Sequence, residues 1–171
     1  MDIRRASAQD ICGIMEVEEK SFLPEIQEER GVFLSRITEC GDTFLVFTDG
    51  GGRISGYVSA EFMPGMPSSP EELRLGHRPD PSAVNSGILY VSSFAILPEF
   101  RGSGAGKELW RRSIGIFSST GSVERIILLV NSRWEGAHHI YGTSGFSDRT
   151  VFPSFFPDGG DGILMEKDLR V

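Results

Sequence analysis

Apolar positions along this chain switch between a helical and an alternating period, and the switches outline a series of helices and strands. Met1–Arg5 reads as a short edge strand. Ser7-Ala8-Gln9-Asp10 resembles a capping box, and it precedes Ile11, Ile14, Met15 and Glu18 at helical spacing. Phe22-Leu23-Pro24 breaks that helix. A second helix is predicted over Glu25–Glu39, with Ile26, Phe33, Leu34 and Ile37 as its buried stripe and Gly41-Asp42 as its stop. Thr43–Thr48 and Arg53–Met63 read as strands joined by Asp49-Gly50-Gly51-Gly52, a turn rich in residues that accept positive φ.

The pattern lapses over Met63–Ser86, which holds five prolines and little periodicity. That stretch reads as a long loop, either a mobile lid or a disordered insert. Periodicity returns with a central strand at Ile88–Leu97 and an amphipathic helix at Gly104–Ser118, whose Leu109, Trp110, Ser113, Ile114 and Phe117 face the sheet. A buried strand at Arg125–Val130, a short helix at Trp134–Thr143 and strands at Phe146–Phe156 and Gly162–Leu169 complete the pattern. Alternating strands and helices with no internal repeat or linker predict one mixed α/β domain over residues 1–171.

The most informative stretch follows the central strand: Phe100-Arg101-Gly102-Ser103-Gly104-Ala105-Gly106-Lys107. Three glycines at the mouth of a helix expose backbone N–H groups that have no intrahelical partner, and Arg101 and Lys107 bracket them with positive charge. The alternative for the glycines alone is a flexible turn leading into a helix. Two familiar phosphate loops fail on spacing. Gly106-Lys107 is followed by Glu108, so the hydroxyl of a Walker A loop is missing. Lys107 stands where a Rossmann fingerprint needs its third glycine, and Glu124 precedes rather than ends the next strand.

The remaining pattern, Arg-Gly-x-Gly-x-Gly-Lys after Phe94-Ala95-Ile96-Leu97-Pro98, resembles the acetyl-CoA loop of the GNAT superfamily of N-acetyltransferases. Asn131, Ala137, Tyr141 and Gly145-Phe146 lie downstream in the order and spacing of that family, so the resemblance spans roughly residues 88 to 147. Phe155-Phe156-Pro157-Asp158-Gly159 and Leu164–Lys167 are similar to the last strands of its peptide-type members, whereas Leu73–Pro79 leading into Tyr90–Phe94 is similar to the arylalkylamine branch. The resemblance implies a single-domain GNAT-type fold: a mixed central sheet flanked by helices, in which Ile88–Leu97 and Arg125–Val130 run parallel and splay apart. It further implies acetyl-CoA as co-substrate, with pantetheine bound as an added strand, and direct acetyl transfer to a primary amine on a peptide, a protein or a small molecule.

Composition narrows the partners. At 171 residues and 39% apolar content the chain can bury a full core. A net charge of −7 without a basic tract argues against nucleic acid and is compatible with a cationic amine. No apolar run reaches membrane-spanning length, and Met1–Asp10 lacks the apolar core of a signal peptide. Cys12 and Cys40 are too few for a disulfide scaffold or a zinc site, so the expectation is a soluble cytoplasmic monomer or homodimer without a metal.

Acetyl transfer needs a neutral amine, a stabilised oxyanion and a proton for the departing thiolate. Tyr141 matches the family tyrosine near the CoA sulfur; its alternative role is packing. Backbone amides of Phe94, Ala95 and Ile96 are the expected donors to the thioester and pantetheine. The backbone of Gly102, Ser103, Gly104, Ala105 and Gly106, flanked by Arg101 and Lys107, is expected to take the pyrophosphate. Asn131 is either a cofactor contact or a turn residue. The base is not settled: Leu129 and Trp134 occupy positions where peptide-type relatives carry glutamate and asparagine, and Tyr90 and Ser92 stand where the arylalkylamine branch has histidines. Three possibilities stay open: Glu61, otherwise a solvated strand residue; Tyr90 and Ser92 acting through water from a face shared with Phe94; or no dedicated base. His77 is expected in solvent, and His138 and His139 on a helix surface. The degraded base positions also admit a non-catalytic acyl-CoA-binding regulatory module.

Overall fold

The computed structural model describes residues 1–170. Its strands are β1 (Asp2–Arg5), β2 (Phe44–Thr48), β3 (Ile54–Phe62), β4 (Ile88–Ile96), β5 (Arg125–Asn131), β6 (Ser147–Phe152) and β7 (Gly162–Asp168). They form one sheet in the order β1-β2-β3-β4-β5-β7-β6. Every neighbouring pair is antiparallel except β4 and β5, which are parallel. A parallel pair requires a crossover, and α3 (Ala105–Ser118) lies in it; the other helices are α1 (Ile11–Ser21), α2 (Arg30–Glu39) and α4 (Glu135–Thr143).

Each face of the sheet has its own core. On one face, Leu109, Trp110, Ile114 and Phe117 of α3 pack against Phe47, Val58, Val91, Ile126 and Val130, with Tyr141 of α4 at the margin. These are the α3 positions that the helical spacing assigns to the sheet. On the other face, Ile11, Ile14 and Val17 of α1 and Phe33 and Ile37 of α2 pack against Phe44, Val46, Tyr57 and Ala95. Because both faces are covered, β2 and all but the last residue of β3 are buried along their length.

Two boundaries differ by more than one residue from the sequence expectation, and one segment differs in character. The second helix starts at Arg30, not Glu25; Pro24–Ile26 is a separate 3₁₀ turn. Between them the chain is extended at Gln27 and Glu29, because the Glu28 amide donates to the Glu18 carboxylate at 2.8 Å and cannot join a helix ladder. Ile26 therefore lies outside the buried stripe, which contains Val32 and Arg36 beside Phe33 and Ile37. Strand β6 stops at Phe152, before Pro153, which has no N–H to give a ladder, and Ser154, whose φ is 49°. The segment 63–86 is neither disordered nor featureless: it contains 3₁₀ turns at Pro70–Leu73 and Pro81–Asn85 and buries Leu73 and Ala83. The capping motif forms as expected, with the Asp10 carboxylate accepting the Ser7 N–H at 2.8 Å.

Candidate functional site

The glycine-rich segment forms an open backbone cradle at the start of α3. The first α3 hydrogen bond runs from the Glu108 N–H to the Gly104 carbonyl at 3.1 Å, leaving the amides of Ala105, Gly106 and Lys107 without helical partners. Gly102 and Gly104 have φ of 77° and 84°, and among the described residues a Cβ at either would meet no heavy atom within 4 Å. Left-handed backbone facing open space is a conformation that glycine supplies without strain. Gly106 serves a separate purpose, since its Cβ would lie 3.2 Å from Ile96 Cδ1 and its bareness therefore seats α3 on β4. Lys107 lines an open groove of about 450 Å³ with Arg111, Thr143, Ser144 and Lys167. Arg101 departs from the expected role, since its Nε and Nη2 both donate to the Ile96 carbonyl, at 3.2 and 3.1 Å. It braces the strand end instead of reaching into the cradle.

Beside the cradle the sheet opens. Strands β4 and β5 pair only from Ile88↔Arg125 to Val91↔Leu128. Past that point β4 stays paired with β3 and β5 with β7, so among the described residues one edge of β4 from Ser92 onward is free. A bulge coincides with the parting: Ser59 pairs with Ser93 while Ala60 pairs with Val91, which leaves Ser92 as the extra residue. The bulge changes which side chains share a face. Tyr90 belongs with Met63 and Ile127 on the α2 side, whereas Phe94 packs on Phe47 and Trp110 on the α3 side. Alternation alone would keep 90, 92 and 94 together; the inserted Ser92 corrects that. Its hydroxyl donates to the Ser59 carbonyl at 3.2 Å, placing it with Tyr90 and not with Phe94. Ala95 and Ile96 are buried, so what they offer the opening is main chain.

Tyr141, on α4, packs at a tilt against Trp110 with ring centroids 4.7 Å apart, and Trp110 also lies against Phe94 at 5.3 Å. Desolvation raises the Tyr141 pKa above the ordinary phenol value, so the hydroxyl keeps its proton at neutral pH. Trp110 thereby brings Tyr141 and β4 together from the α3 side, while Tyr90 and Ser92 lie on the other side.

That other side holds a buried charge cluster. Glu18, Glu28, Arg36 and Glu61 are each at most 5% exposed. Arg36 Nη2 reaches Glu28 at 3.2 Å and the His77 carbonyl at 3.2 Å, and its Nε lies 3.8 Å from Glu61. Among the described residues, the fully buried Arg36 Nε and Glu61 Oε2 atoms find no hydrogen-bond partner. Glu61 is hydrogen-bonded to His77 Nε2, and Glu28 accepts the Gly76 N–H at 3.1 Å. Glu18 bonds the Tyr57 hydroxyl, which lies 2.8 Å from Ser93 Oγ. Burial pushes the Glu18 pKa up and drives the Tyr57 and Tyr90 phenols higher still. Glu61 is thus no solvated strand residue and His77 no solvated loop residue. The loop 63–86 is tied down at its middle by both.

An aromatic wall closes the mouth between the two sides. Phe22, just after α1, lies 6.1 Å from Trp134 at the start of α4; Trp134 lies 5.4 Å from Phe156, and Phe155 is 5.1 Å beyond. The Asn131 side chain is engaged in a turn. It is 1% exposed, its side-chain amide donates to Asp158 at 3.1 Å, and its side-chain carbonyl accepts the Arg133 N–H at 2.9 Å, so the side chain is spent bracing the β6–β7 turn. His138 pairs with Asp148 at 2.9 Å on the surface.

Sequence reasoning did not bring Ser93, Tyr57, Glu28 and Arg36 to this cluster. Two signals were present: Glu18 at helical spacing with Ile11 and Ile14, and Arg36 one turn after Phe33, each a charge on an apolar stripe.

Among known proteins, an uncharacterized N-acetyltransferase of Methanocaldococcus jannaschii is 26% identical over 168 residues, covering 98% of this chain and 91% of the relative. An N-alpha-acetyltransferase of Sulfurisphaera tokodaii is also 26% identical, over 98% of this chain and 92% of its own. Among solved structures, the GphF GNAT-like decarboxylase in complex with isobutyryl-CoA superposes with a TM-score of 0.80 at 18% identity, covering 99% of this chain and all of that one. At that identity the likeness is one of fold. The Acetyltransferase (GNAT) family itself matches residues 11–146, so this chain, with its splayed β4 and β5 and its glycine cradle, belongs to that family.

Proposed function

We propose that the protein transfers an acetyl group from acetyl-CoA directly to a primary amine, with a peptide N-terminus bearing apolar leading residues as the favoured acceptor. The observation that carries the reading is the conjunction of the parted β4–β5 edge with the free amides at the start of α3. The amides of Gly102–Lys107 would hold the pyrophosphate, and the helix end favours its negative charge. The free main-chain edge at Phe94–Ile96 would take the pantetheine arm as an added strand. Tyr141, kept protonated by its surroundings, would donate to the departing thiolate. The acceptor would enter from the opposite side, past Phe22, Trp134, Phe155 and Phe156, whose rings suit apolar side chains. The name of the Sulfurisphaera relative supports a peptide α-amine over a small arylalkylamine.

The test is release of free CoA from acetyl-CoA with peptides of apolar or acidic leading residues, with lysine-bearing peptides and with arylalkylamines. Turnover greatest on apolar-leading peptides is the expected result. Tight acetyl-CoA binding with no release by any amine would replace this reading with the non-catalytic binding module.

A further inference from the structure

We propose that Ser93, Tyr57 and Glu18 form a proton relay that deprotonates the acceptor amine, with Glu18 as the terminal base. This rests on the acetyl-transfer reading above. The path begins at the cleft wall, where Ser93 is half-buried, two residues past the last β4–β5 pair. Ser93 Oγ lies 2.8 Å from Tyr57 Oη, and the fully buried Tyr57 hydrogen-bonds Glu18 Oε2. The other Glu18 oxygen accepts the Glu28 N–H at 2.8 Å, so the carboxylate is held in one orientation.

The chemistry of each group suits its place. A serine and a tyrosine hydroxyl can each accept one proton and pass on another, and a carboxylate can keep one. The acceptor ammonium gives a proton to Ser93 Oγ, the Ser93 proton moves to Tyr57 Oη, and the Tyr57 proton moves to Glu18 Oε2. Both hydroxyls end neutral, Glu18 ends protonated, and the amine is left with the lone pair that attacks the thioester carbonyl. As the C–S bond breaks, the Tyr141 proton goes to the thiolate sulfur and the second amine proton restores the Tyr141 hydroxyl, while Glu18 returns its proton to solvent by the relay path.

The surroundings bear on the base strength of Glu18. Glu18 faces Glu28, Tyr57 of β3 and Arg36 of α2; Arg36 in turn lies beside Glu61 of β3, which His77 of the 63–86 loop bonds and near which Tyr90 of β4 lies. Three carboxylates around one guanidinium leave the cluster short of positive charge, which suits an incoming ammonium. Desolvation raises the Glu18 pKa against the opposing hydrogen bonds from the Glu28 N–H and Tyr57, so this carboxylate takes up a proton more readily than a solvated one. A purely structural network would close on itself, whereas this one ends at a hydroxyl on the parted strand.

The experiment measures kcat for CoA release against pH, using acetyl-CoA and the best peptide from the acceptor screen, for wild type, Ser93→Ala and Tyr57→Phe. Acetyl-CoA affinity, measured by calorimetry, serves as the folding control. Both variants should lose about 10²-fold in kcat at pH 7. Both should recover toward wild type above pH ~9, where a free α-amine with a pKa of about 8 is already neutral. If Tyr57→Phe does not fold, the half-buried Ser93→Ala carries the test. An active wild type whose profile both folded variants reproduce overturns the relay alone. A uniform loss at every pH overturns it as well, because that is the mark of a packing defect. A wild type inert toward every amine overturns acetyl transfer and the relay together.

Discussion

On the α3 side of the parted strands, the groups offered to a ligand are main-chain amides and aromatic rings; on the α1/α2 side they are carboxylates, a guanidinium, an imidazole and phenols. The first side is built by leaving things out. Gly102 and Gly104 supply space and free N–H groups, and nothing around them depends on a partner's charge. The second side works by mutual dependence: Arg36 is held by Glu28 and the His77 carbonyl, and Glu18 by Tyr57 and the Glu28 amide. A backbone cradle suits a ligand fragment that is always the same, such as a pyrophosphate. A cluster of coupled charges suits a step in which charge changes.

That contrast can be broken at several points. The largest effect is expected from Tyr141→Phe, which keeps the ring on Trp110 and removes only the hydroxyl: turnover should fall roughly 10²–10⁴-fold with acetyl-CoA affinity unchanged. Unaltered turnover with chemistry rate-limiting would make Tyr141 a packing residue. Next is Arg36→Met, which strands Glu28 and Glu61 in the interior. Loss of one partner from a buried ion cluster costs about 3–5 kcal/mol, readable as a drop in urea midpoint, and hydrogen exchange at Gly76 and His77 should quicken. Gly104→Glu attacks the other side: a carboxylate in the anion cradle, on a backbone that disfavours side chains, should weaken CoA binding about 100-fold with little change in the exchange of 76–77. Equal damage to both sides from either variant would dissolve the distinction.

The smallest effect lies outside both sides and calibrates them. Asp10, bonded to the Arg4 guanidinium, has its pKa lowered to about 2. A depressed carboxylate adds stability above its unfolded pKa of about 3.9 and loses it as pH falls toward 2. Asp10 is buried but the Arg4 side chain is 48% exposed, so solvent screens the pair; Asp10→Asn should cost only about 0.5–1 kcal/mol at pH 7, dwindling as pH falls through 2. A cost that persists unchanged into acid would mean the capping contact to Ser7, not the ion pair, carries it.

The two sides were unequally legible in the sequence. The cradle was visible because glycine spacing, a strand before and an amphipathic helix after are local signals; the five sheet-facing residues of α3 followed from its period. The charge cluster was not, because its members come from α1, the segment before α2, α2, β3, β4 and the 63–86 loop, and most of its links join residues far apart in sequence. Glu61 and His77 read as solvated residues for the same reason: each looks exposed until the other arrives. The parted strands were implied by family resemblance and are seen in the pairing itself. The bulge had no signature, since Ser92-Ser93 reads like any stretch of strand.

That single extra serine also governs how β4 can evolve. Up to Val91 the strand keeps one phase of inside and outside; from Ser93 it keeps the opposite one. Losing one codon at position 92 would leave the chain nearly the same length and composition, yet it would exchange the surroundings of Ser93, Phe94, Ala95 and Ile96 all at once. Point substitutions at those positions can be explored one by one, but the phase cannot be altered in small steps. The insertion is therefore an all-or-none character, and comparing relatives for its presence separates lineages that share this arrangement of both sides from those that share only the fold.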